Sequence, residues 1–277
     1  MQRPLAGSND DGALEAKYGT VHSLNSWEDC ATKIGNIESR HAERGVWFRG
    51  QSKAKWQLLS TLERGGSRFT LEGYFNLMRR IKPEIEASVG PRLNELPAPE
   101  EVRELALSYD DIERLLNAGI SSMAYLRHHG FPSPLLDWSA SPDVAAYFAF
   151  AHAKRDEPVA IFVYVEAPDG VKVRVSQAPQ IFTLDSVANA TPRHNRQKSK
   201  YTVCSEFSVD AGWSFVPHQE VFRAPRSLRQ DFVWKLIVPA SERPKVLASL
   251  DQRDINAFSL FQSEDSLMET LAVRHFS

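Results

Sequence analysis

The sequence predicts an α+β domain in which a helical N-terminal half packs on a mostly antiparallel sheet drawn from the C-terminal half. Three observations predict it. Apolar residues recur at helical spacing in several segments before Gly130. Beyond Pro158 the chain turns to β-branched and aromatic runs, as strands require. No linker or repeat divides the 277 residues, a length that one mixed core can hold.

In chain order, residues up to about Tyr18 carry Pro4, Gly7, Ser8, Asn9, Asp10, Asp11 and Gly12 with few large apolar groups, which predicts a disordered tail and a single domain over 19–277. Trp27, Cys30, Ile34 and Ile37 predict a helix from Ser26 to about Glu43, closed by Gly45. Val46, Trp47 and Phe48 read as a short strand stopping at Gly50, with Arg49 at its end. Tyr74, Leu77, Met78, Ile81 and Ile85 mark a helix, Glu100 to Asn117 one or two more, and Ser122 to His128 another that Gly130 closes in a left-handed turn. Pro132 and Pro134 force extended backbone before Leu135-Leu136. Ser141-Pro142-Asp143 has the order of a helix start, serine as cap and proline at the first position, so Val144 to Ala153 reads as a buried helix. Val159–Val165, Val171–Val175, Tyr201–Val209 and Asp231–Val238 read as strands, and Ser241–Leu250 and Ser266–Val273 as short closing helices.

A net charge of −2 gives no whole-molecule attraction to nucleic acid or to an anionic membrane. The longest apolar stretch, Val144 to Ala153, falls far short of the roughly 20 residues that span a bilayer, and Arg3 precedes no hydrophobic signal region, so a soluble, cytoplasmic protein without a membrane partner is expected. Cys30 and Cys204, the two cysteines, supply neither a disulfide framework nor a zinc site and read as reduced packing residues; no metal is expected. Walker, Rossmann, HExxH and Gly-x-Ser-x-Gly signatures are absent.

Chemistry concentrates in Arg127-His128-His129-Gly130-Phe131-Pro132-Ser133-Pro134-Leu135-Leu136-Asp137-Trp138-Ser139, where polar groups are held between prolines ahead of a buried helix. This aims Asp137, Ser139 and the helix amides at one place, and helix N-termini favour anions such as pyrophosphate. Arg49 supplies a matching fork of donors.

Trp47-Phe48-Arg49-Gly50, with His129-Gly130-x-Pro-Ser-Pro-Leu-Leu-Asp137-Trp138-Ser139 and the following Ala-Ala-Tyr-Phe-Ala, resembles the FRG domain, a family named for its Phe-Arg-Gly triplet. Arg193-x-x-x-Gln197 before Tyr201-Thr202 is similar to its later arginine and glutamine positions, and Phe258-Ser259-Leu260-Phe261 to its closing motif, so the resemblance runs from about Ser23 to the C-terminus. More distantly, the order of Arg49, Ser139 or Ser141, and the strand near Tyr201 is similar to ADP-ribosyltransferases of the arginine, serine, glutamate type. That likeness implies an ADP-ribosyltransferase-like groove binding NAD as substrate: Arg49 on the pyrophosphate, Ser139 on the nicotinamide-side ribose, and Gln197 or Glu206 at the ribosyl centre. Trp47, Gly50, His129, Asp137, Trp138 and Ser141 would line it. It implies transfer of ADP-ribose to a protein or nucleic-acid acceptor, or NAD hydrolysis, and by analogy a toxin or phage-defence effector. Gln197 departs from the pattern, because a neutral amide lacks the charge of a glutamate.

Each residue also has a structural reading. Arg49 can pair with Asp137 to join two segments, Ser141 can be a cap alone, His128 and His129 can complement a helix end, and Trp47 and Trp138 can be core. Two other functions stay open. One is nucleic-acid binding or RNA processing, with His128 or His129 as general base and Lys198, Lys200, Arg223, Arg226 and Arg229 on phosphates; the other is a non-catalytic nucleotide-binding module.

Overall fold

The computed structural model describes residues 20–66, 68–170, 172–173, 178–184, 192–223 and 230–276. The predicted N-terminal tail lies outside them. Strand β1 (Thr20–Ser23) leads to helix α1 (Trp27–Arg40), where the Ser26 side chain accepts the Asp29 amide and Trp27, Cys30, Ile34 and Ile37 form the buried stripe that their spacing requires. Strand β2 (Val46–Gln51) follows, then α2 (Thr61–Arg64), α3 (Leu71–Val89), α4 (Pro99–Leu107) and α5 (Ile112–His128). The break predicted near Asn117 is absent: one helix runs from Ile112 to His128, and Gly130 closes the turn beyond it at φ +83°. Next come β3 (Leu136–Ser139), α6 (Pro142–Phe150), β4 (Val159–Val165), β5 (Gln180–Leu184), α7 (Pro192–Arg196) and β6 (Ser199–Ser208). The chain ends with β7 (Gly212–Phe215), α8 (Gln219–Arg223), β8 (Phe232–Val238), α9 (Arg243–Asp251), α10 (Ala257–Phe261) and α11 (Glu264–Phe276). No helix among the described residues is long and apolar enough to cross a membrane.

The architecture is α+β, and the sheet is mixed. Its order is β1-β8-β4-β2-β3-β6-β5, with β7 paired to β6. β1 runs parallel to β8, whereas the other pairs are antiparallel. The sheet is not confined to the second half: β1, β2 and β3 come from the first, and β2 and β3 lie near its middle. Their apolar runs are short, so periodicity underweights them. β5 and β7 are similarly short and escape the sequence pattern. Of the predicted strand Val171–Val175, Lys172 and Val173 form no strand and the rest lies outside the described residues.

β4 is buried at all seven positions because both its faces are covered. Val159, Ile161, Val163 and Val165 pack with α1, α6 and α9, while Ala160, Phe162 and Tyr164 pack with Trp138, Phe222 and Val233. A further core holds α3, α4 and α5 against β5, β6 and β7. Both cysteines are buried and free, as packing residues should be, and burial pushes the Cys30 thiol up to about 12.

Short α2 is fixed by a capping box in which Ser60 and Glu63 bond each other's backbone amides. Burial pushes the Glu63 carboxyl up to about 7 from 4.5, against the opposing pull of its Ser60 bonds and of Arg64. The folded state therefore holds this proton to higher pH than the unfolded chain. The associated stability is complete below the unfolded value and is lost as pH rises through the folded one. Melting temperatures measured from about pH 5 to about pH 8 should fall in the wild type relative to Glu63→Gln. Parallel curves for the two proteins would refute the assignment.

Candidate functional site

β2 pairs with β4 along its full length and β3 with β6 along its own, but β2 and β3 meet at one position, Phe48 opposite Ser139. Beyond that pair the sheet splits. Arg49 lies within β2 rather than at its end, and its guanidinium spans the split, with Nη1 donating to the Asp137 carbonyl at 2.5 Å. A cleft of about 420 Å³ opens there, walled by β2, β3, the end of α5, the start of β6 and one side of α6.

Four arginines from four segments face it: Arg49, Arg64, Arg127 and Arg193. Asp137 is the one carboxylate among the lining residues. Arg127 takes that carboxylate, Nη2 to Oδ2 at 2.6 Å, while Arg49 Nη1 stands 3.9 Å from the same oxygen. Arg49 is thus tied to the backbone of Asp137 more closely than to its charge. Burial lowers the Arg49 guanidinium to about 10, with Asp137 opposing the shift and Arg127 and Arg64 adding to it. The Nε atoms of Arg49, Arg127 and Arg193 are buried without a hydrogen-bond partner, as is Asp137 Oδ1. Unpaired donors and surplus positive charge in a concave site call for an anion.

His128 Nε2 and Tyr201 Oη are 2.8 Å apart, and His194 Nδ1 lies 3.3 Å from the same hydroxyl. Burial is the chief cause that lowers both imidazoles below the ordinary value, which favours their neutral forms. Ser139 Oγ donates to the Gln197 carbonyl at 2.8 Å and accepts the Ser141 amide at 3.0 Å, bracing α7 against the start of α6. Gln197 Nε2 is buried without a partner. Behind the cleft, Trp138 Nε1 donates to Thr202 Oγ1, which also bonds His218 Nε2 at 2.8 Å. Burial, followed by the charge of Arg49, depresses His218 to about 3.

Residues 44–157 match the family model described as FRG domain. The chain carries an FRG domain. The match is shorter than the span from Ser23 to the C-terminus implied by the motifs, and Arg193, Gln197, Tyr201 and Phe261 lie beyond it. No curated protein and no solved structure matches the chain.

The glycine of the FRG triplet has a packing reason. A Cβ at Gly50 would stand 1.9 Å from the Ala145 carbonyl oxygen and 2.6 Å from the Ala149 nitrogen, so only glycine lets β2 approach α6. Of the other residues singled out in sequence, Arg49, Asp137, Trp138, Ser139 and Gln197 also line the FRG-domain cleft. Trp47, His129, Ser141 and Glu206 do not. Trp47 packs on Tyr164 with Lys200 Nζ 6.0 Å from its ring, and His129 is exposed and tilted on Tyr125. It is His128, one residue earlier on the helix, that turns inward. Ser141 holds the N-cap position without a side-chain cap bond, and its amide donates to Ser139 Oγ. Glu206 pairs with Ser214 five residues beyond Tyr201, about 17 Å along the strand and on the alternate face.

Sequence reasoning missed Arg64, Tyr201, Trp56 and Phe148 as cleft residues, placed His129 rather than His128 in the groove while holding either as a possible base, and gave no role to Arg127 or Arg193. The signal for Arg127 was its place in the last turn of α5 beside His128. Of the possible phosphate strip, Arg226 and Arg229 lie outside the described residues, Arg223 closes α8, Lys198 is exposed and Lys200 sits on the Trp47 side.

Proposed function

We propose that the FRG-domain cleft binds a pyrophosphate-bearing nucleotide, with NAD as the ligand, and acts on it in the manner of an ADP-ribosyltransferase, by transferring ADP-ribose or hydrolysing NAD. The arginine cluster carries this reading. Four guanidiniums share one carboxylate, and three of them retain an unpaired buried N–H in the plane where a phosphate oxygen is best held. Trp56 and Phe148, 44% and 36% exposed at the cleft, offer ring faces for the base and the nicotinamide.

In this reading Arg49, Arg127 and Arg193 grip the pyrophosphate. Ser139 already donates its proton to the Gln197 carbonyl, so its hydroxyl is left to accept from the nicotinamide-side ribose. When the glycosidic bond breaks, its electron pair leaves with nicotinamide and positive charge develops on the ribosyl carbon. Asp137 is the lining carboxylate placed to oppose that charge, with the Gln197 amide orienting the sugar. Water as acceptor gives hydrolysis; a side chain or base of a macromolecule gives transfer. Either outcome suits a toxin or phage-defence effector.

A second reading, binding without turnover, is favoured by the 2.6 Å pairing of Asp137 with Arg127 and by the neutrality of Gln197. Chromatography of nicotinamide released from NAD separates the two, using wild type and Asp137→Asn with and without cell lysate. Release by the wild type that the variant loses supports catalysis, and lysate dependence marks a macromolecular acceptor. Binding of NAD with no release under any condition leaves the domain a nucleotide-binding module.

A further inference from the structure

The C-terminal helices lie beyond the segment that matches the family, yet Phe261 of α10 contacts two residues of the cleft wall. α10 is anchored by a capping box between Asn256 and Ser259 and ends at Gln262 in the left-handed conformation. This places Phe261 against α7, where its ring centroid lies 4.6 Å from Arg193 Cζ. The same ring meets Phe148 of the cleft wall edge-on, 6.0 Å between centroids. Phe261 is therefore wedged between one cleft arginine and one cleft aromatic.

An arginine side chain that must be ordered when it meets an anion loses rotamer freedom at that moment, which weakens binding. A ring under the guanidinium orders it beforehand. The guanidinium carbon lies over the ring face, a contact that consumes no N–H donor, and Arg193 Nε is buried without a hydrogen-bond partner. We propose that Phe261 is the positioning residue for Arg193, and that the C-terminal helices thereby set the affinity of the cleft for the phosphoanion of its ligand. This rests on the phosphate-binding reading of the cleft.

The test is calorimetric titration of the full chain with inorganic pyrophosphate. Phe261→Leu keeps an apolar side chain but removes the ring; Phe261→Tyr keeps the ring. Phe261→Leu should weaken binding by about 3- to 10-fold and Phe261→Tyr should restore it. In an Arg193→Ala background Phe261→Leu should cost nothing further, a result that loss of mere packing would not give. In the unliganded protein, the side-chain NMR resonances of Arg193, displaced by the ring in the wild type, should return toward ordinary positions in Phe261→Leu. Pyrophosphate affinity unchanged in Phe261→Leu, an equal loss in the Arg193→Ala background, or Arg193 resonances indifferent to the ring would each overturn the inference and leave the phosphate reading standing. Absence of pyrophosphate binding by the wild type overturns both.

Discussion

Arg49→Ala should lower the affinity for NAD by about 10- to 100-fold while the protein stays folded, the range expected for losing charge-assisted hydrogen bonds to a phosphate. Arg49 is the arginine that spans the split sheet, and its Nη1 bond to the Asp137 carbonyl fixes the orientation of the fork. Removing it takes one positive charge from the cleft and leaves the Arg127–Asp137 pair in place. Arg49→Lys should recover little of the loss, because an ammonium cannot bond Asp137 and a phosphate oxygen in one plane. Titration of both variants with NAD at low and high salt checks this. A lysine variant that binds as tightly as wild type would reduce Arg49 to a diffuse charge.

Gly50→Ala should have the largest effect on stability, at least about 3 kcal/mol, since the contacts it forces are with helix backbone and no rotamer relieves them. The added methyl would collide with the Ala145 carbonyl and the Ala149 amide, so β2 and α6 must separate. That movement carries Phe148 and the Ser139–Ser141 junction away from Arg49, and NAD binding should be lost with stability. Urea unfolding of the variant gives the magnitude. A midpoint equal to that of wild type would mean that the two elements are not packed as described.

These two residues adjoin in sequence, which is why that part of the site was legible. Trp47 to Gly50 and Pro132 to Ser139 are short, dense segments whose local chemistry points at one place. The arginine cluster was not legible, because Arg64, Arg127 and Arg193 come from separate segments and acquire meaning only when the fold brings them to Asp137. His128 and His129 are adjacent on a helix end, and spacing alone does not decide which turns inward. Glu206 shows the limit of strand reading: its odd separation from Tyr201 puts it on the other face, but which face of β6 meets the cleft is set by the pairing with β3. The long helices α3 and α5, with four or more turns of periodic signal, were read correctly in type, whereas the four- and five-residue helices α2, α7, α8 and α10 were not predicted. The four- and five-residue strands β1, β5 and β7 were missed because such short runs carry little pattern.

In the function proposed above, the cleft recognises the pyrophosphate of a dinucleotide. Its most direct test is calorimetric titration of the wild type with NAD, compared with adenosine and nicotinamide riboside added together, which supply both rings without the phosphates. Binding of NAD should be saturable, salt-sensitive and competed by inorganic pyrophosphate, with little or none of the pair. Equal binding of the two, or no binding of NAD by folded protein, would contradict it.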